Sequence, residues 1–267
     1  MKLLDALLER GLAADERTAR GLILSGRVLV DDVPGNSEHA EVKPEQSIRV
    51  KGDTSGDLSR GARKLRPAIA RAGFDATGRV CLDLGVSTGG FTQVLLENGA
   101  AKVYAVDVSY GITATEIRND PRVVLLERTN ARELAHEHVP DAVERVVGDL
   151  SFISWAAVIP AIAALLEPSA RLLLLVKPQF EIPAELRDEA LHGGVVSDPR
   201  YWVEALYSLS GAWVANGLEV LDVFPSELRG AKGNREFFVL LQLGSMAQPN
   251  EYERMVERAV AEAAREG

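Results

Sequence analysis

Two lysines and two acidic residues stand in the sequence where an acid–base cluster could form. They are Lys64 on a predicted helix, Asp149 and Lys177 at the ends of predicted strands, and Glu236 at the start of another strand. Because the carboxyl ends of parallel strands meet at one edge of a sheet, we expect the four side chains to converge. Taken singly, each is more readily explained by a salt bridge at the sheet edge. Together they favour proton-transfer chemistry.

A glycine-containing loop follows the first strand of the predicted sheet. Residues 82–91 read Leu-Asp-Leu-Gly-Val-Ser-Thr-Gly-Gly-Phe. The spacing is G-x-x-x-G-G, which differs from the G-x-G-x-x-G of a pyrophosphate-binding turn, and it lacks the Gly-Lys-Ser/Thr of a P-loop. Glycines allow the backbone to approach a ligand closely. Asp83, just before the first glycine, could accept a hydrogen bond from the ammonium of an amino acid moiety.

A second acidic residue, Asp107, ends the next predicted strand. An acidic side chain at that position can accept hydrogen bonds from both ribose hydroxyls of an adenosine. A nucleoside that also carries an amino acid is S-adenosylmethionine, so the loop and Asp107 together predict a methyltransferase. A dinucleotide-binding fold and a glycine turn that serves packing alone are the alternatives.

The lysines indicate which atom would receive the methyl group. A hydroxyl oxygen is a poor nucleophile until its proton begins to leave, and a lysine can accept that proton. A lysine that follows an apolar run such as Leu172–Val176 is partly desolvated, which favours its neutral form, whereas nearby carboxylates favour the charged form. Amino-directed methyltransferases often carry Asp/Asn-Pro-Pro-aromatic after the fourth strand. Here Lys177-Pro178-Gln179-Phe180 follows the fifth strand, which points to a hydroxyl acceptor.

The order of the predicted elements indicates two domains. Residues 1–50 predict two helices followed by short strands, and the polar residues 51–58 predict a linker. From Val80 onward strands alternate with helical segments, which predicts an α/β fold with a mostly parallel sheet covered on both faces. The last two strands are expected to be antiparallel. The seven predicted strands are Val80–Leu84, Lys102–Val108, Arg122–Glu127, Val143–Asp149, Arg171–Val176, Leu218–Phe224 and Phe237–Gln242.

Charge is distributed unevenly along the chain. The whole sequence has a net charge of −9, which by itself argues against a nucleic acid partner. Residues 1–71, however, carry 13 Lys/Arg against 11 Asp/Glu, and Arg49–Arg71 carries seven basic residues against Asp53 and Asp57. Because salt screens distant charges, such a patch can bind phosphates on an acidic protein. A solvated surface is the competing interpretation.

Several classes of protein are disfavoured by composition. No apolar stretch reaches the roughly 18 residues needed to cross a bilayer. The first residues do not resemble a signal peptide, so a cytoplasmic location is expected. The single cysteine, Cys81, cannot form an intrachain disulfide and lies in an apolar run, where a buried, inert thiol is expected. No metal site is predicted, and the oligomeric state is left open.

Several motifs together resemble the TlyA family of bacterial ribosomal RNA 2′-O-methyltransferases, some of which were first labelled haemolysins. The resemblance spans nearly the whole chain. It rests on Ser59-Arg60-Gly61 with Lys64-Leu65, Asp83–Thr92, Asp107-Val108, Glu127–Arg132, Asp149–Ser154, Lys177–Glu181, Gly193–Val196 and Gly233–Glu236.

The resemblance implies a domain organisation and a set of functional residues. It implies an S4-type RNA-binding domain at residues 1–50, an FtsJ-like, Rossmann-like methyltransferase domain at 59–244, and a helical tail at 245–267. It implies that Lys64, Asp149, Lys177 and Glu236 are catalytic, with Lys177 as the central base. The implied cofactor contacts are Asp83, Gly85, Ser87, Thr88, Gly89, Gly90, Asp107 and Asn130. The expected RNA contacts are Arg20, Arg27, Arg60, Arg63 and Arg66.

The substrate implied by this resemblance is a cytidine ribose in small- or large-subunit ribosomal RNA, so ribosomal RNA or a ribosomal subunit is the expected partner. Two other functions are considered. A non-catalytic RNA-binding or ribosome assembly factor would bind the cofactor without turnover. A membrane-active haemolysin would need a spanning segment, a basic amphipathic helix or a barrel pattern, and the acidic tail serves poorly as such a helix.

Overall fold

The N-terminal region forms a small domain of two helices and a three-stranded sheet. The computed structural model describes residues 1–10, 12–13, 15–24, 26–31, 33–44, 46–50, 57–230, 232–244 and 249–265. The small domain contains α1 (Leu3–Glu9), α2 (Glu16–Leu24), β1 (Val28–Val30), β2 (Val33–Pro34) and β3 (Ile48–Val50). Its antiparallel sheet has the order β2-β1-β3. The predicted linker lies outside the described residues except for Asp57 and Leu58.

Apolar residues at helical spacing build the core of this domain. Leu3 and Leu7 of α1 are fully buried, and Ile23 of α2 and Val28 of β1 pack in the same cluster. The backbone N–H of Thr18 donates to the Asp15 carboxylate at 2.7 Å. Asp15 therefore caps α2.

The second domain is built on a seven-stranded sheet. The strands are β4 (Val80–Leu84), β5 (Lys102–Val106), β6 (Val123–Leu126), β7 (Val143–Gly148), β8 (Leu166–Val176), β9 (Leu218–Pro225) and β10 (Phe237–Leu243). Their order is β6-β5-β4-β7-β8-β10-β9. The first five are parallel, and β10 is antiparallel to both β8 and β9. The mostly parallel α/β fold is thus confirmed.

Helices cover both faces of this sheet. They are α3 (Arg60–Ala72), α4 (Gly90–Glu97), α5 (Thr115–Arg118), α6 (Trp155–Ala163), α7 (Pro178–Glu181), α8 (Arg187–Ala190), α9 (Pro199–Tyr207), α10 (Ser210–Ala215) and α11 (Pro249–Arg265). The expectation of a helix between each of the first five strands is wrong in one place. Only a 3-10 turn, Ala131–Glu133, stands between β6 and β7. Within the described ranges no helix is long and apolar enough to span a membrane.

Alternating residues of the central strands pack against opposite layers. Leu172 and Leu174 of β8 face the layer that contains α6 and α9, whereas Leu173 and Leu175 face α3 and α4. All four are fully buried, as expected for a parallel strand covered on both sides. Cys81 of β4 is buried in the second layer, and burial raises the pKa of its thiol to about 12. The thiol is therefore unreactive, as predicted.

The strand order reverses between β4 and β7, which are neighbours in the sheet. From β4 the chain proceeds outward through β5 to β6 and then returns to β7 on the other side. Loops at the carboxyl ends of β4 and β7 consequently diverge and leave a crevice. The glycine-containing loop follows β4, and Asp149 follows β7.

Candidate active site

The loop between β4 and α4 follows a path that ordinary residues rarely take. Gly85 has φ +83°, Ser87 has φ +48° and Gly89 has φ +101°. The Gly85 N–H donates to the Val106 carbonyl at 2.9 Å, which ties the loop to the end of β5. A left-handed backbone at two glycines explains why these positions lack side chains.

The space beside each glycine is filled by the protein itself. A Cβ on Gly85 would lie 2.8 Å from the Asp149 carbonyl oxygen, and one on Gly89 would lie 2.6 Å from Ile117 Cγ1. A Cβ on Gly90 would lie 2.7 Å from the Ala62 nitrogen and would also overlap Ser59 Oγ. From their spacing, these glycines were expected to allow close approach of a ligand. In the structure they allow the loop to pack against β7, α5 and α3.

Asp83 lies beneath this loop and not in a cleft. Its side chain is fully buried, and Thr92 Oγ1 donates to its Oδ2 at 2.6 Å. Its Oδ1 has no hydrogen-bond partner among the described atoms. Burial raises the pKa of Asp83 to about 7. Through the hydrogen bond from Thr92, Asp83 stabilises the first turn of α4.

A first cleft of about 510 Å³ opens at the carboxyl ends of β4, β5 and β7. Asp107 stands at its edge, with Oδ2 accepting from the Ser87 N–H at 2.7 Å and Oδ1 from the Ser109 N–H at 2.8 Å. Asn130 lines the same cleft and accepts from the Arg132 N–H at 3.1 Å. We call this space the β5-side cleft.

The predicted lysines and acids form one continuous cluster. Lys177 Nζ lies 2.7 Å from Asp149 Oδ1, and Lys64 Nζ lies 3.7 Å from Asp149 Oδ2. Lys64 Nζ also lies 2.6 Å from Glu236 Oε2. Asp149 thus stands between the two lysines, and Lys64 stands between the two carboxylates. The convergence expected from the sequence is present.

The pKa shifts of Lys64, Asp149 and Glu236 have different causes. Burial lowers the pKa of Lys64, but the Asp149 and Glu236 carboxylates outweigh burial and leave its pKa above the usual value. Burial raises the pKa of Asp149, and the two lysines more than offset this, so its pKa is lowered. Burial raises the pKa of Glu236, which Lys64 only partly opposes. Lys64 is therefore a fixed positive charge and is poorly suited to accept a proton.

A second cleft of about 380 Å³ exposes this cluster on the side of α3. This cleft is lined on one side by Lys64, Lys177, Glu236, Thr88 and Gly90. The facing wall belongs to the small domain and consists of Arg10, Leu12, Pro44 and Ile48. We call it the α3-side cleft. The two clefts share Gly85, Ser87 and Asp149. A group bound in one would therefore meet a group bound in the other at Asp149.

Sequence reasoning missed two residues that contact the cluster's supporting loops. Lys177 Nζ donates to Ser151 Oγ at 2.7 Å. The buried Glu181 carboxylate accepts from Ser154 Oγ at 2.5 Å and from the Trp155 N–H at 2.9 Å. Burial raises the pKa of Glu181 to about 7. Ser151 lies two residues after Asp149 and Glu181 lies four residues after Lys177, each inside a motif that carries the family resemblance. Their closeness in sequence to the predicted catalytic residues is the signal that could have identified them.

The arginines predicted to contact RNA have different surroundings. Arg20 pairs with Glu38 at 2.8 Å, and Arg66 pairs with both Asp57 and Glu97 at 2.6 Å. Arg60 lines the α3-side cleft and donates to the Arg229 carbonyl at 2.6 Å. Arg27 is half-buried beside β1. Arg63 is exposed.

Comparisons with known proteins identify the family of this chain. Residues 58–243 match the family model described as FtsJ-like methyltransferase. The 16S/23S rRNA (cytidine-2′-O)-methyltransferase TlyA of Mycobacterium tuberculosis is 41% identical over 259 residues, 96% of each chain. Hemolysin A of Brachyspira hyodysenteriae is 34% identical over 238 residues, 89% of this chain and 98% of that one. A solved structure from Streptococcus thermophilus has a TM-score of 0.79 and 28% identity, and covers 100% of this chain and 98% of its own.

Fold and site together define an S-adenosylmethionine-dependent methyltransferase. The sheet order, the glycine loop after β4 and the acidic residue after β5 are the features on which that class rests. Within it, the chain belongs to the FtsJ-like methyltransferase family, in the TlyA group.

Proposed function

We propose that this enzyme transfers the methyl group of S-adenosylmethionine to a ribose 2′-hydroxyl of ribosomal RNA, with Lys177 as the base. The main observation that supports this proposal is the cluster at the junction of the two clefts, which consists of Lys64, Asp149, Lys177 and Glu236. One cleft would hold the cofactor and the other the acceptor. A non-catalytic RNA-binding factor has no need of such a cluster.

The β5-side cleft fits the cofactor. Its volume of about 510 Å³ lies within the range of small-molecule sites. The Asp107 carboxylate is half-buried at its edge, where it would accept from the ribose hydroxyls, and Val108, Ile112 and Ile153 offer apolar surface for the adenine. Ser87 and Gly85 lie between Asp107 and the cluster, and they would hold the part of the cofactor nearest the acceptor. Asn130 would contact the adenosine, whereas Asp83 would act through the loop.

The chain's own groups supply the proton transfer. Bound S-adenosylmethionine provides an electrophilic methyl group attached to sulfur. Lys177 would accept the proton of the 2′-hydroxyl as that oxygen bonds to the methyl carbon, and the electron pair of the broken carbon–sulfur bond would remain on sulfur. Asp149 orients Lys177 and stabilises the ammonium that forms. Lys64, held charged by Glu236, stabilises negative charge that develops on the oxygen.

The acceptor is proposed from the relatives and from the α3-side cleft. The Mycobacterium tuberculosis relative is named for cytidine methylation of 16S and 23S ribosomal RNA, and we propose a cytidine for this chain as well. The small domain, residues 1–50, contributes one wall of the cleft, which supports its assignment as an S4-type RNA-binding domain. A ribosomal RNA substrate would place the enzyme in the cytoplasm.

The test is transfer of radiolabelled methyl from S-adenosylmethionine to purified 30S and 50S ribosomal subunits. The expected product is label in RNA that survives alkali as an uncleaved dinucleotide, because a 2′-O-methyl group blocks hydrolysis of the next phosphodiester bond. Label that alkali releases as mononucleotides would indicate base methylation and contradict the proposal. Absence of label from both subunits, with cofactor binding measured in the same preparation, would contradict it as well.

Arg63 is expected to contribute more to RNA binding than Arg66, although both lie on α3. The Arg66 guanidinium is paired with two carboxylates, whereas Arg63 is exposed on the helix that carries Lys64. We expect Arg63→Ala to weaken binding to ribosomal subunits and to reduce the slope of log K against log salt by about 1. Arg200→Ala, which removes an exposed arginine from α9, is the control. Equal losses for the Arg63 and Arg200 variants would refute a specific contact.

A further inference from the structure

The amino group of Lys177 has two fixed neighbours. Asp149 Oδ1 lies 2.7 Å from Nζ, and Ser151 Oγ accepts from Nζ at 2.7 Å. Both come from the loop after β7, two residues apart. The nitrogen itself borders the α3-side cleft, and Ser151 borders the β5-side cleft. Ser151 thus reaches Lys177 from the cofactor side of the site.

We propose that Ser151 is a positioning residue that sets the direction of the Lys177 lone pair; this inference rests on the proposed role of Lys177 as the base. An amine nitrogen has four tetrahedral positions. One holds the side-chain carbon, and in an amine with a free lone pair two N–H bonds would be directed at Asp149 and Ser151. Only one position remains for the lone pair. The hydroxyl proton of the acceptor must therefore arrive along that single direction.

A hydroxyl is better suited than another carboxylate to orient the amino group of Lys177. A carboxylate adds negative charge, which favours the ammonium form of a neighbouring lysine. A serine oxygen accepts the N–H bond and adds no net charge. Asp149 alone would leave the amino group free to rotate about its last carbon–nitrogen bond, so the lone pair would sample several directions. A second, neutral acceptor removes that freedom.

Further contacts fix the position of Ser151 relative to Lys177. The loop that carries Ser151 ends at Trp155, whose indole Nε1 donates to the Leu175 carbonyl of β8 at 3.0 Å. Glu181, at the far end of α7, binds Ser154 and the Trp155 N–H. Helix α7 begins directly after Lys177 and ends at Glu181. The segment from Lys177 to Glu181 is therefore joined to the loop after β7 at both ends, through Ser151 at one end and through Ser154 and Trp155 at the other.

A ring contact adds to this bracing. The rings of Phe152 and Phe180 lie with their centroids 5.1 Å apart, one from each of the two segments. Phe152 has φ +65°, an unfavourable value for a bulky residue that surrounding contacts must maintain. The distance between Ser151 and Lys177 is thus held by several independent contacts, as accurate orientation of a base requires.

The proposal is tested with Ser151→Ala and Ser151→Thr in the full-length enzyme. Ser151 is exposed, so neither loss of the hydroxyl nor addition of one methyl group disturbs the core. The control is Ser210→Ala at the start of α10, which removes a hydroxyl that donates to the Tyr207 carbonyl at the end of α9, outside both clefts. Single-turnover methyl transfer to the ribosomal substrate is measured at saturating cofactor, and the Kd for S-adenosylhomocysteine is measured by calorimetry.

We expect Ser151→Ala to lower the single-turnover rate by about tenfold to 100-fold, with the Kd for S-adenosylhomocysteine within about twofold of wild type. Ser151→Thr should restore the rate, because it retains the oxygen. An unchanged rate in Ser151→Ala would overturn the inference. So would a rate loss matched by an equal loss of cofactor affinity, which would make Ser151 a cofactor ligand. In both cases wild-type transfer remains, so the proposed function stands. A wild-type enzyme that transfers no methyl group would refute both.

Discussion

Methyl transfer by a Lys177→Met variant is expected to fall by roughly 1,000-fold or more, while the Kd for S-adenosylhomocysteine stays within about twofold of wild type. Methionine approximates the length and volume of lysine but cannot accept the proton. Asp149 would keep Lys64 as a partner at 3.7 Å, so no buried carboxylate is left without a cation. The loss should consequently appear in the rate and not in the fold.

The matched control for this variant is Lys102→Met. Lys102 stands at the amino end of β5, at the edge of the sheet away from the clefts, and its amino group pairs with Asp141 at 2.7 Å. We expect wild-type rates from it. A Lys177→Met enzyme that retained a tenth of the wild-type rate would show that another group accepts the proton. Parallel loss of cofactor affinity would show that Lys177 acts mainly in binding.

Cofactor affinity should depend most strongly on Asp107. We expect Asp107→Ala to raise the Kd for S-adenosylmethionine by about 100-fold, because hydrogen bonds to a charged group each contribute about 1.5–3 kcal/mol. The carboxylate also accepts from the N–H groups of Ser87 and Ser109, so its loss would loosen the glycine loop as well. Isothermal titration calorimetry measures this directly.

Two further variants separate the proposed ribose contact from the loop contact. Asp107→Asn retains one acceptor oxygen and should give an intermediate Kd. Asp75→Ala is the control, because Asp75 likewise accepts from a backbone N–H, that of Thr77 at 3.0 Å, but lines neither cleft. An Asp107→Ala enzyme with wild-type affinity would place the adenosine elsewhere and contradict the assignment of the β5-side cleft.

The strand ends were predictable because buried parallel strands are continuous apolar runs. Val80–Leu84 was predicted with its observed bounds, five other strands to within two residues at each end, and β8 only at its carboxyl end. The start of β8 was not predicted. That strand begins at Leu166 and passes through Pro168 and Ser169, which are exposed residues of types common in turns and so resemble a loop. Its register with β7 shifts in this stretch, and only tertiary pairing specifies such an irregularity.

Convergence of the cluster followed from topology, but its internal chemistry did not. Any lysine after β8 and any acid after β7 must approach each other at the sheet edge, so Lys177 and Asp149 could be paired from the sequence. Which lysine lies between two carboxylates depends on the placement of α3 and on Glu236, and no periodicity encodes that. Sequence likewise cannot show that Arg66 is neutralised by Asp57 and Glu97 while Arg63 stays exposed.

Two buried carboxyl groups outside the lysine cluster, Asp83 and Glu181, couple folding to proton binding. Each has a pKa of about 7 in the folded chain against 3.8 and 4.5 for the unperturbed groups. Between about pH 4 and pH 7 these two groups therefore hold more protons in the folded chain than in the unfolded chain, and their contribution to the free energy of unfolding decreases as the pH rises. Their contribution is greatest below about pH 4 and is lost above pH 7, so acidification stabilises the loop supports that alkaline conditions weaken.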